Sequence, residues 1–242
     1  MEQEITLKGG RTTAGVIRIG DTVRRPIKAR AVFVHELLRH LERRGFEGAP
    51  KFLGIDRVGR EVLSFIPGSV PPELGYFSDA QLTAAARLLR QLHDATLDCP
   101  LRHGYEVVCH GDASPCNCIF VDGVPQVLID FDDAQPGSRL DDLGYAAWLW
   151  IDIGNDDLSV DSQAQRVADF FGHYGLGTDT AVSAIIAAQI ALSERTNSAG
   201  VREWSQSCRA WVERNRVELA ATISARSNNV FQPTRLLSRP VG

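Results

Sequence analysis

Positive charge is in short supply. Twenty-six Lys and Arg stand against 30 Asp and Glu, a formal net charge of -4, so the basic excess that accompanies wrapping of nucleic acid is missing. A local anion site is not excluded by this. There is no cysteine framework either: the five cysteines, Cys99, Cys109, Cys116, Cys118 and Cys208, are odd in number and follow no disulfide spacing, which fits a reducing compartment. Cys116 and Cys118 are separated by one residue, not by the two of common zinc and redox motifs. Long apolar runs are absent; the longest, 181–192, is too short to cross a bilayer and contains Gln189. The acidic start Met1-Glu2-Gln3-Glu4 has no apolar core of the kind a secretory signal carries. These absences lead us to expect a cytoplasmic protein with neither a membrane nor a nucleic-acid partner. What is present is an ordinary globular balance, 44% hydrophobic and 23% charged over 242 residues, enough for one large domain or two closely joined lobes.

The order of the patterns favours two lobes. Residues 5–7, 15–19 and 22–25 read as short strands punctuated by Gly9-Gly10 and Gly20-Asp21, the second pair being a hairpin signal. Over 31–44, Val34, Leu37, Leu38 and Leu41 recur at helical spacing, and Gly45 stands where such a helix stops. Residues 52–55 and 61–66 read as two more strands. Pro67-Gly68 and Pro71-Pro72 then break the pattern and mark the boundary. Beyond it, Ser78 is placed to cap a helix carrying Leu82, Ala85, Leu88, Leu89 and Leu92. Two short strands fall within 119–129, helical patterns run from 143 to 225, and the polar end reads as a loose tail. The expectation is an α+β fold: a small β-rich N-lobe over 1–66, a larger α-helical C-lobe over 67–226, and a flexible tail over 227–242.

The chemistry concentrates in two runs, Val107-Val108-Cys109-His110-Gly111-Asp112-Ala113-Ser114-Pro115-Cys116-Asn117 and Val127-Leu128-Ile129-Asp130-Phe131-Asp132. Transfer of a phosphoryl group from ATP needs a carboxylate to orient the acceptor hydroxyl and oxygen ligands to hold magnesium against the phosphates. Asp112, with Asn117 five positions on and Asp130 after a short hairpin, supplies such a set. A four-residue loop over 122–125 pairs Val121 with Gln126, Ile119 with Leu128 and Asn117 with Asp130. Direct partners in an antiparallel pair lie about 5 Å apart on one face, so Asn117 and Asp130 are expected to converge on one hard cation.

These residues resemble the aminoglycoside phosphotransferase and choline kinase family, relatives of the protein kinases. The family signature is met by His110, Gly111, Asp112, Pro115 and Asn117, its Ile-Asp-Phe setting by Asp130, and its downstream Asp-Leu pair, which buttresses the catalytic loop, by Asp142-Leu143. The segment from Leu89 to His93 resembles the helix ahead of that loop. The resemblance implies a bilobal protein-kinase-like fold and an ATP- and Mg2+-dependent transfer of the γ-phosphate to a hydroxyl of a small molecule, with an aminoglycoside-like antibiotic among the candidates. It implies Asp112 as catalytic base or orienter, Asn117 and Asp130 as metal ligands, and Asp132 as a weaker contact. Gly9, Gly10 and Gly15 would cover the phosphates, and Ser64, Phe65 and Ile66 would offer backbone bonds to adenine.

The family's strand lysine and helix glutamate have no direct counterparts. Arg24, Arg25 and Lys28 all stand as replacements for the lysine, since guanidinium binds phosphate well, although alternation lets only one of Arg24 and Arg25 face the nucleotide. His35, beside Glu36, falls where the glutamate belongs. That gap motivates a second reading, a non-catalytic binding or immunity-type protein on the same scaffold. His93, His110 and Asp142 are expected to be structural, and Trp148, Trp150, Trp204 and Trp211 to pack the core. The acidic stretch 152–157, with Asp161, Glu194 and Glu203, reads either as a surface for a cationic acceptor or as solvated helix ends.

Overall fold

The computed structural model describes residues 3–7 and 15–230 of the chain. Five strands, β1 (Glu4–Thr6), β2 (Ile17–Ile19), β3 (Thr22–Pro26), β4 (Phe52–Ile55) and β5 (Arg60–Ser64), form one antiparallel sheet in the order β1-β2-β3-β5-β4. Gly20-Asp21 closes the β2–β3 hairpin: Ile19 pairs with Thr22, and Gly20 takes a φ of 56°. Helix α1 (Ala31–Arg43) connects β3 to β4 and buries Val34, Leu37, Leu38 and Leu41, the apolar stripe visible in the sequence. Gly45, at φ 70°, ends it in the left-handed region that glycine adopts without a Cβ penalty.

The larger part is helical. Helix α2 (Asp79–Ala95) begins in a full capping box, with the Ser78 side chain accepting from Gln81 N and the Gln81 side chain accepting from Ser78 N. Strands β6 (Val107–Cys109), β7 (Cys118–Val121), β8 (Val124–Leu128) and β9 (Gln135–Gly137) then lead to α3 (Arg139–Ile151), α4 (Val160–Tyr174), α5 (Ala181–Arg195), α6 (Ala199–Arg214) and α7 (Arg216–Val230). Trp148, Trp150, Phe170, Phe171, Tyr174 and Trp211 are buried, so three of the four tryptophans are core residues; Trp204 is partly exposed and stacks on Trp148 at 4.8 Å. No helix among the described residues is long and apolar enough to cross a membrane. The bilobal, protein-kinase-like α+β architecture is as expected.

Four details depart from the sequence reading. The β6–β9 pair was not legible, because each strand has three residues and exists only through its partner. Helix α3 starts at Arg139 rather than near 143, capped by Ser138. Helix α7 continues through Val230, so the tail does not begin at 227; residues 231–242, like Gly9 and Gly10, lie outside the described residues. The β7–β8 loop has two residues instead of four: Asp122 and Gly123 take φ values of 51° and 77°, the mirror-image turn that closes a tight hairpin. Val121 therefore faces Val124, and a bulge between Ile119 and Phe120 brings Cys118 opposite Leu128.

Between the two parts runs a short connector. Phe65 N donates to Asp21 O at 2.9 Å, and Ser69 exchanges two backbone hydrogen bonds with Phe120, at 2.9 and 2.7 Å. Gly68 lies between, where a Cβ would meet Phe120 O at 2.6 Å and Ile119 Cγ2 at 2.4 Å.

Candidate active site

The loop from His110 to Asn117 is held by its backbone. Asp142, in the first turn of α3, accepts from His110 N at 2.5 Å and from Gly111 N at 2.8 Å. Fully buried His93 stands 3.0 Å from the same carboxylate and 2.6 Å from the Tyr174 hydroxyl. Burial alone pushes the Asp142 carboxyl up, but the hydrogen bond and charge of His93 and the Gly111 amide outweigh it and hold the group below its ordinary value. Gly111 takes a φ of 81°, and a Cβ there would lie 2.3 Å from Asp133 O, so this position requires glycine. Trp150 Nε1 donates to Ala113 O at 3.0 Å, and Arg195 Nη2 to Gly111 O at 3.1 Å. His110 is structural, as expected: Asp112 N donates to its Nδ1 at 3.3 Å, which makes Nε2 the protonated nitrogen facing Ile129 O at 3.0 Å. His93, Cys109 and Asp142 do converge, but the first and last are spent on the hydrogen bonds above and the Cys109 thiol donates to Ser138 O at 3.2 Å.

This scaffold presents the Asp112 carboxylate. Asn117 Nδ2 donates to its Oδ2 at 2.7 Å and to Asp112 O at 3.1 Å, and the Tyr145 hydroxyl on α3 donates to its Oδ1 at 2.7 Å. Asn117 uses its amide nitrogen here, which leaves the side-chain oxygen for a cation. The structure corrects one expectation: Asn117 is not the register partner of Asp130. Ile129 N donates to Asn117 O at 2.9 Å, so the ladder is one residue out of the expected phase because of the shorter turn and the bulge. Asp130 follows the ladder in a left-handed conformation, φ 62° and ψ 61°. An aspartate tolerates that backbone better than most residues do.

Asp130 faces the sheet lobe. Arg25, 7% exposed, is the strand arginine that points inward. Its Nε lies 2.5 Å from Glu61 on β5, its Nη1 2.8 Å from Asp130 Oδ1, and its Nη2 2.7 Å from Asp132 Oδ1. Lys28 adds a 2.5 Å contact to Asp132. Arg24 points to the other side, 3.5 Å from Asp56, a carboxylate held at about 2 mainly by the Arg60 backbone amide. Alternation thus puts Arg25, and not Arg24, on the Asp130 side of the strand. The partner carboxylate comes from β5 rather than α1: Glu61 is bracketed by Arg25 and by His35 Nε2 at 2.8 Å. Sequence reasoning missed Glu61; alternation within β5 marked it as inward-facing only once β3 and β5 were known to be neighbours.

The charges at this site are unbalanced. Burial and the neighbouring Asp132 raise the Asp130 carboxyl above its ordinary value although Arg25 opposes them, while burial also acts against Asp132 but Asp130, Lys28 and Arg25 hold it below. A pair of carboxylates that competes for a proton despite two nearby cations is short of positive charge, and the oxygen donors of Asn117, Asp130 and Asp132 suit a hard divalent ion. Of the other candidates, Gly15 takes a φ of 81° before β2. Ser64 N donates to Lys51 O and Phe65 N to Asp21 O, so Ile66 is the residue of that trio whose amide makes none of the described hydrogen bonds. Arg18 covers the Phe65 ring at 3.7 Å. The acidic stretch after α3 is largely engaged: Asp152 accepts from Asn155, Asp156 from Trp211, and Asp161 from Gln165 and Thr222. A cleft of about 490 Å3 opens between α3 and α5, with Gly111, Tyr145 and Arg195 in its wall.

Comparison with known proteins gives this arrangement its context. Residues 78–182 match the family described as "Phosphotransferase enzyme family". The trifolitoxin immunity protein of Rhizobium leguminosarum bv. trifolii is 36% identical over 200 residues, covering 73% of this chain and 76% of that protein. Among solved structures, Plasmodium vivax ethanolamine kinase superposes with a TM-score of 0.61 at 13% identity, covering 90% of this chain and 83% of its own. An aminoglycoside phosphotransferase from Streptomyces rimosus, in complex with ADP and streptomycin, does so with a TM-score of 0.53 at 15% identity, over 83% and 91%. At these identities the two structures share the fold.

Proposed function

Because the chain belongs to the phosphotransferase enzyme family, we propose that it moves the γ-phosphate of ATP to a hydroxyl of a small molecule, with Asp112 receiving the hydroxyl's proton. The observation carrying this reading is the Asp112 carboxylate, fixed on one side by Asn117 and backed by a loop whose amides are tied to Asp142. Little covalent chemistry is needed for such a transfer; positioning and charge stabilisation do most of it. The acceptor oxygen bonds to the γ-phosphorus, the bond to the β-phosphate oxygen breaks, ADP leaves, and the proton passes to Asp112. Asn117 and Asp130 would hold magnesium, with Asp132 beside them. When bound, that ion supplies positive charge against the phosphate oxygens. Arg25, fixed by Glu61, takes the place of the strand lysine at the nucleotide side. Amino alcohols and aminoglycosides are the acceptors to try first, in keeping with the ethanolamine kinase and the streptomycin complex that share the fold.

The test is Asp112→Ala in a phosphorylation screen across aminoglycosides, macrolides and amino alcohols. Loss of transfer with an unchanged melting curve supports the role of Asp112; full activity in that variant refutes it. A second reading, an immunity-type protein that binds without transferring phosphate, is favoured by the 36% identity to the trifolitoxin immunity protein and by the replacement of the lysine. A titration of melting temperature with ATP and magnesium separates the two. A ligand that prefers the native state must raise its apparent stability, so no shift at millimolar nucleotide favours the second reading.

A further inference from the structure

The Tyr145 hydroxyl occupies a hydrogen-bonding position on Asp112 that an acceptor hydroxyl would also use. Asp112 Oδ2 is taken by Asn117, and Oδ1 accepts from Tyr145 at 2.7 Å. An acceptor hydroxyl handing its proton to this carboxylate must come within the same hydrogen-bond distance of Oδ1. Without an acceptor, an open carboxylate in a wet cleft would bind water there, and water is itself a nucleophile toward ATP. Hydrolysis is the side reaction that a site built for transfer has to suppress.

We propose that Tyr145 is a positioning residue that guards Asp112 Oδ1 against water, its hydroxyl standing in for the acceptor's until the acceptor displaces it. The proposal rests on the phosphotransferase reading above. Three observations support it. The ring is fixed on α3, 9% exposed, with Trp148 edge-on at 6.1 Å. The Arg195 guanidinium lies 5.5 Å from its centroid and bonds to Gly111 O, so the ring and the Asp112 loop share one cation. Burial, and then the charge of Asp112, raise the phenol well above its ordinary value, so the hydroxyl remains a donor and not a competing nucleophile. Both Tyr145 and Arg195 line the cleft between α3 and α5, and Gly111, the neighbour of Asp112, lies in the same wall.

The main assay needs no acceptor, and the amino alcohols and aminoglycosides of the screen above serve for the transfer arm. Release of inorganic phosphate from magnesium-ATP is followed with the full chain in the absence of acceptor. Tyr145→Phe, which removes one oxygen, should release phosphate about fivefold faster, the factor one ordinary hydrogen bond represents. Adding Asp112→Asn should abolish the gain. Arg195→Gln, made on the surface and harmless to the core, should raise hydrolysis in the same direction by a smaller factor. A purely structural tyrosine would give an unchanged or lower rate in Tyr145→Phe, and that result overturns the proposal. So does label from γ-labelled ATP that stays on wild-type protein and is lost in Tyr145→Phe, since Tyr145 would then be an acceptor itself. Acceptor phosphorylation by wild type, with no rise in the variant's hydrolysis, sinks the guard alone. No phosphate release or transfer by wild type or any variant sinks the transfer reading with it.

Discussion

Replacing Arg25 by Met keeps the bulk of the side chain and removes its charge. The structure says where the cost will fall. Glu61, 2% exposed, would keep only His35 as a partner at 2.8 Å. Asp130 and Asp132 would also lose a counter-charge, but their side chains are 31% and 19% exposed and Lys28 still contacts Asp132, so water and the lysine absorb much of that loss. Breaking a buried ion pair costs about 3–5 kcal/mol; with two of the three carboxylates partly screened, about 3 kcal/mol is expected, a large share of a typical ~5–15 kcal/mol stability. Urea denaturation at pH 7 reads this as a lower midpoint with an unchanged m-value. The double variant Arg25→Met/Glu61→Gln should lose less than the sum of the singles by about 1–3 kcal/mol, because each mutation removes the other's reason to matter. Arg25→Lys should recover only part, since one ammonium cannot fork to three carboxylates. The pH dependence has a definite sign. Asp130 is already raised and would rise further, so its ionised form penalises the native state at neutral pH; the deficit of Arg25→Met should narrow as pH falls through the raised value. A deficit below about 0.5 kcal/mol together with additive singles, the pattern of surface changes, would refute the argument.

Further outcomes are expected elsewhere in the site. Asp142→Asn should cost about 2–3 kcal/mol, the range for hydrogen bonds to a charged group, and because the folded-state carboxyl is lowered, the difference from wild type should be full at neutral pH and fade as acid denaturation titrates the group, below about pH 4. Gly111→Ala should unsettle the loop by at least about 2 kcal/mol and abolish transfer, since its Cβ would lie 2.3 Å from Asp133 O at a positive φ; a crystal structure of an active variant would count against this. Asn117→Ala and Asp130→Ala should each remove the magnesium dependence of the ATP-induced melting shift while leaving the apo melting temperature within a few degrees.

Much of this was legible in the sequence because local rules sufficed. The α1 stripe, the Ser78 cap and the Gly20-Asp21 turn depend on residues within one or two turns of one another, and each is found where expected. The buttressing role of Asp142 was also readable, through the resemblance. The hairpin register was not. An Asp-Gly pair suits both a two-residue and a longer turn, and the bulge that shifts the ladder beside Pro125 is a tertiary outcome. Glu61, Tyr145 and Arg195 escaped for a different reason. Each meets its partner across 33 to 84 positions of sequence or across two strands, and nothing in the neighbouring residues marks those encounters.

The connector constrains how the molecule can work. One anchor is the Phe65 amide on Asp21, the other the paired Ser69 and Phe120, so only residues 66–68 lie free between them. Any tilting of the sheet lobe against the helical part must break the Arg25 and Lys28 contacts to Asp130 and Asp132 and bend the backbone through three residues, one of them a glycine with no room for a side chain. Such a short swivel permits tilting but little sliding. The β7–β8 hairpin is tied to both halves, through Ser69 and Phe120 and through Leu128 N on Gly48 O at 2.9 Å, so it would resist such tilting.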